Sequence, residues 1–118
     1  MTVIGNKNSL HLRQYDIVTC TLTGDYGKPR PAVIVQSDLF NETHASLVLC
    51  PITTHLVAAP LFRLLLSPDS SNGLKQKSQI MVDKITSLPR MKINQKIGSL
   101  TSEQKHHLDE ALCCWLEL

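Results

Sequence analysis

The hydrophobic pattern of this chain changes period once, at Thr101, and that change limits the folds open to it. Before Thr101, apolar and β-branched residues run in short stretches cut by turn formers. After it, Leu108, Ala111, Leu112 and Trp115 recur at i, i+3, i+4 and i+7, the stripe of a helix laid on a core. Thr101 and Gln104 have the spacing of a capping box, in which the Thr hydroxyl accepts the N3 amide and the Gln side chain accepts the cap amide. Short strands followed by one terminal helix predict a mainly β (α+β) fold, a small antiparallel barrel with a C-terminal amphipathic helix packed against it.

The strands can be read one by one. Residues 15–22, "YDIVTCTL", are rich in β-branched side chains and alternate in polarity. A turn, "TGDYG", leads into a second strand at 30–36, apolar on both faces in its middle and therefore central or part of a closed barrel. Ser37 and Asp38 can cap a short helical turn through Asn41. "SLVLCPIT" at 46–53 is a third strand with a bulge or an edge at Pro51. Residues 61–67 form a fourth strand and "SPDSSNG" a loop. A fifth runs through 79–86, and a short extended piece at 96–99 follows the basic loop "LPRMKINQ".

At 118 residues the expectation is one domain over 14–118, with residues 1–13 as an N-terminal extension. No apolar run is long enough to span a membrane and the first residues lack the apolar centre of a signal peptide, which points to the cytoplasm. Cys20, Cys50, Cys113 and Cys114 show no C-x-x-C spacing and read as small packing residues. His106 with Cys113, and His107 with Cys114, are separated by about 10 Å of helix rise, too far to close on one metal ion. The net charge of +2 is unevenly placed. Residues 1–69 balance, 70–100 carry +5 (Lys75, Lys77, Lys84, Arg90, Lys92 and Lys96 against Asp83), and the last 18 carry −3. A basic block of this kind suits a polyanion or an acidic protein segment; a solvated lysine-rich surface has the same signature.

One short stretch, "DYGKPRPAVIVQSD" at 25–38, places Arg30 between two prolines at the mouth of an apolar strand. Proline fixes its own φ and pushes the preceding residue out of the α region, so Pro31 holds Arg30 extended while Pro29 stiffens the approach. A guanidinium on such a backbone has little freedom left to lose on meeting an anion. A solvent-facing arginine at a strand start would satisfy the same geometry.

"GDYGKPRPAVIVQSDLFN" followed by "LVLCPITT" resembles the PemK/MazF (Kid) family of toxin-antitoxin ribonucleases, in which a Gly-rich loop runs into an R-P strand and a later strand ends P-[IV]-T-[ST]. The resemblance covers roughly residues 14–118. It implies a small SH3-like barrel with a C-terminal helix, forming a homodimer that cuts single-stranded RNA at selected sequences without a metal or other cofactor, held in check by an antitoxin with an acidic C-terminal segment. It also implies that Arg30 and Thr53 are catalytic and assigns Asp83 more weakly, because the arginine found two positions earlier in plasmid-type relatives is Met81 here. Tyr26, Lys28, Thr54, His55 and Lys84 are the residues expected to touch RNA. The loop before Arg30 is shorter than the common version. The competing reading on the same fold, a CcdB-type gyrase poison, acts through a C-terminal Trp-Gly-Ile segment, whereas this chain ends "CCWLEL".

RNA brings its own nucleophile, the 2′-OH, so an enzyme has only to orient the attack, move a proton and neutralise charge on the phosphorane. Arg30 suits the charge but, with a pKa above about 12, is a poor proton shuttle. Thr53 can donate to a phosphate oxygen or the 2′-OH, although threonine is also common in strands. His55, two residues on, can carry a proton or can simply be a loop histidine. Tyr26 is the aromatic best placed for base stacking.

Overall fold

The computed structural model describes residues 10–22, 24 and 26–118. Among the described residues seven strands, β1 (Asp16–Thr21), β2 (Pro29–Ile34), β3 (Ser46–Thr53), β4 (Arg63–Leu66), β5 (Ser78–Met81), β6 (Thr86–Pro89) and β7 (Ile93–Ser99), precede one α-helix, α1 (Ser102–Leu116). All pairings are antiparallel, in the order β4-β5-β3-β2-β1-β7, with β6 on β3. The mainly β architecture with a terminal helix is the one expected, but the described strands form an open path from β4 to β7 and not a closed ring.

β3 explains the shape. On one edge its Leu49, Cys50 and Pro51 face β2. On the other, Ser46 to Leu49 face β6, and Ile52 and Thr53 face β5. The change of partner falls at Cys50 and Pro51, where a residue without an N–H costs the ladder least. β2 is central, as its two-sided apolarity requires. Val33 packs in one cluster with Ile17, Cys50, Ile80, Leu100 and Leu108, while Ala32 and Ile34 pack in a second with Val18, Leu47, Leu49 and Ile93. Ile17 and Val18 make the same division on β1, the period-two alternation of a strand covered on both faces. Leu12 is buried in the second cluster with Leu10 beside it; residues 1–9 of the expected extension lie outside the described residues.

The capping box forms. Thr101 Oγ1 accepts the Gln104 amide at 3.2 Å, and Gln104 Oε1 accepts the Thr101 amide at 2.9 Å. Leu108 and Ala111 are buried, Leu112 is partly buried, and Trp115 is 46% exposed, leaning on Phe62 with ring centroids 5.3 Å apart. Cys20 and Cys50 are buried packing residues as expected, and burial pushes the Cys50 thiol up to about 12. Cys113 and Cys114 are exposed, a correction that follows from their falling off the 108/111/112/115 stripe. The expected strand over 79–86 is broken by a 3-10 turn at Val82–Lys84, and the expected basic loop holds a second such turn at Arg90–Lys92 and the start of β7. No helix among the described residues is long and apolar enough to cross a membrane.

Candidate active site

Four chain segments meet at a cleft of about 450 Å³ lined by Leu22, Arg30, Pro31, Pro51, Ile52, Thr53, Thr54, Met81 and Lys84. Arg30 is the second residue of β2, in register with Cys20 of β1. β3 begins to flank β2 only at Ala32, so Pro29 and Pro31 lie where that edge needs no donor, and the proline bracket fits the sheet. The Arg30 side chain is exposed on the cleft wall.

Thr53 ends β3 directly across the cleft. Its Oγ1 accepts the His55 amide at 3.0 Å, a local turn that fixes the hydroxyl oxygen and leaves its proton able to donate. Lys84 arrives on the 3-10 turn after β5. Pro31, Pro51 and Ile52 supply apolar surface, so the polar groups converge over a floor that hydrates poorly, a setting that strengthens charge-assisted hydrogen bonds.

Of the residues expected from sequence, the structure thus gathers Arg30, Thr53, Thr54 and Lys84. Tyr26, Lys28 and His55 are exposed and do not line the cleft; Tyr26 is fully solvent-facing at φ 52° between Gly24 and Gly27, both also at positive φ. Asp83 does not line it either. Arg63 holds its carboxylate in a fork, Nε to Oδ1 at 2.7 Å and Nη2 to Oδ2 at 2.9 Å, and this pair keeps Asp83 below the usual carboxylate range. Sequence reasoning passed over Arg63, although a lone charge inside "LFRLLL" signals a residue that must find a partner. The basic block of 70–100 is also dispersed by folding. Lys84 reaches the cleft, Lys96 pairs with Asp16 at 3.2 Å, and Arg90 is buried. Among the described residues no group of three or more His, Cys, Asp or Glu is placed to hold a metal ion.

The class of protein defined is a small open antiparallel sheet with a terminal helix, carrying a guanidinium, two threonines and a lysine around one cleft at its strand mouths. A family model described as "PemK-like, MazF-like toxin of type II toxin-antitoxin system" matches residues 13–116, and the chain belongs to that family. It is 39% identical over 106 residues to the probable endoribonuclease MazF of Mycolicibacterium smegmatis, covering 89% of this chain and 96% of the relative. Its structure is similar to the Mycobacterium tuberculosis toxin MazF-mt6 (TM-score 0.75, 24% identity, 87% of this chain and 97% of the other). It is also similar to an endoribonuclease in complex with its cognate antitoxin from Mycobacterial species (TM-score 0.76, 22% identity, 92% and 97%).

Proposed function

We propose that this chain is the toxin of a type II toxin-antitoxin pair, a sequence-selective endoribonuclease acting on single-stranded RNA in the cytoplasm, with residues 14–118 as its one domain. The observation that carries the reading is the convergence of Arg30 and Thr53, from different strands, on one cleft with Lys84 beside them. Arg30 forks onto the phosphate oxygens and stabilises the charge that builds as the 2′-OH attacks. Thr53 donates its hydroxyl proton to the phosphate or orients the 2′-OH, while Thr54 and Lys84 hold the flanking backbone. The reaction runs without a bound metal and leaves 2′,3′-cyclic phosphate and 5′-OH ends. The same cationic cleft suits the acidic C-terminal segment of an antitoxin, and the relative solved with its cognate antitoxin is in keeping with such a partner. The exposed apolar side chains Leu61, Leu65, Trp115 and Leu116 provide surface for a homodimer. A gyrase-poison role is disfavoured, because the chain belongs to the PemK/MazF toxin family and is similar to a probable endoribonuclease.

The test is cleavage of a mixed single-stranded RNA pool in EDTA. The expected result is discrete cuts with cyclic-phosphate ends and, for Arg30→Ala, a rate lower by about 10²–10³ with an unchanged melting curve. Intact RNA across the pool would refute the ribonuclease reading.

A further inference from the structure

The 3-10 turn at Val82–Lys84 carries the second cation of the cleft, yet it is held from outside the cleft. Residues three apart eclipse in a 3-10 turn. Met81 and Lys84 are three apart, and both line the cleft. Between them Val82 is fully buried and donates its amide to the Phe62 carbonyl at 3.0 Å. Asp83 receives the Arg63 fork at 2.7 and 2.9 Å, with both side chains mostly shielded, 13% exposed for Arg63 and 15% for Asp83. Met81, at the start of the turn, makes no side-chain cap, so the fork and the Val82 amide bond are what tie the turn to the β4 side of the sheet. Arg63 is anchored in turn: it sits in register with Met81, and its amide donates to the Ala59 carbonyl at 2.8 Å.

We propose that Arg63 and Asp83 form a positioning pair for RNA binding, in which the fork fixes the turn so that Lys84 stands over the cleft, and Asp83 acts through Lys84 and not on the phosphate. The proposal rests on the RNA reading of the cleft. A carboxylate that accepts one charge-assisted hydrogen bond on each oxygen has its charge matched and its basicity lowered, so it is a poor base for the 2′-OH proton and repels the phosphate little. It does keep a short turn in one geometry, and a lysine on a flexible stem profits from a fixed base more than an arginine would.

The experiment compares the full chain with Arg63→Gln, Asp83→Asn and Lys84→Gln, and with each of the first two combined with Lys84→Gln. The readouts are steady-state cleavage of a labelled random-sequence single-stranded RNA and affinity for its 2′-O-methyl counterpart, which lacks the nucleophile. Arg63→Gln and Asp83→Asn are each expected to raise KM and the 2′-O-methyl Kd by up to about tenfold, the loss of one charge-assisted phosphate contact, while kcat stays within about twofold. In the Lys84→Gln background neither should have a further effect. A fall in kcat for Asp83→Asn that persists in that background overturns the proposal, because the carboxylate would then act on the chemistry. A kcat loss that only tracks the unfolded fraction in a thermal melt, with KM unchanged, overturns it as well. Should wild-type protein leave all RNA uncut, the ribonuclease reading fails on its own. The 2′-O-methyl titrations still decide the pairing: losses that vanish in the Lys84→Gln background support it, and additive losses overturn it.

Discussion

Arg30 lies on the part of β2 that β3 does not yet flank, and its two proline neighbours remove donors where none is needed. The two prolines thus restrict the backbone that presents the side chain to the cleft. Arg30→Lys keeps the charge but loses the two-pronged fit to phosphate, so the expected cleavage rate in the RNA assay lies nearer to Arg30→Ala than to wild type. Thr53 contributes an oxygen fixed by the His55 amide and a proton directed elsewhere. Thr53→Ser should keep most activity and Thr53→Val should lose it, on the order of 10²-fold in kcat for a lost transition-state donor. Asp83 shows its role in acid. Its folded-state pKa is depressed by Arg63, so it contributes stability in full above about pH 4, the unfolded value, and loses it as pH falls through the lower folded value. In acid-titration melts the stability gap between wild type and Asp83→Asn should be constant above about pH 5 and narrow below about pH 4.

At the scale of elements, β3 and α1 differ in how locally they are specified. The start of α1 is set by Thr101 and Gln104 alone, whose reciprocal bonds satisfy two end amides. Thr101→Ala is expected to cost about 1 kcal/mol in urea unfolding with no change in specific activity, since the helix does not line the cleft. β3 reads as a strand in sequence, and Pro51 marks where something must change. Whether that was a bulge, an edge or an exchange of partners depended on β5 and β6 arriving from 25 to 40 residues downstream. The break at Val82–Lys84 was likewise illegible: "QIMVDKIT" has strand composition throughout, and the turn exists because Val82 bonds to Phe62 and Asp83 to Arg63.

Over the whole molecule, two apolar clusters lie on opposite faces of one sheet, and only the first is closed by the helix. Leu108 is the fully buried link between helix and sheet, so Leu108→Ala should cost about 2–5 kcal/mol in denaturant unfolding, enough to lower the amount of folded toxin while the cleft residues stay untouched. What the sequence determined by itself was local: alternation on each strand, the capping box, and the stiff presentation of Arg30 by Pro29 and Pro31, all consequences of covalent geometry and of side-chain periodicity over a few residues. The resemblance of its "KPRPAVIVQ" and "PITT" segments added the proposal that Arg30 and Thr53 are the catalytic pair. What only the tertiary structure decided was which charges meet. Lys84 went to the cleft, Lys96 to Asp16 and Asp83 to Arg63, because ion pairs form between residues 20 to 80 positions apart, and their choice of partner is made by sheet register and burial, which no local pattern encodes.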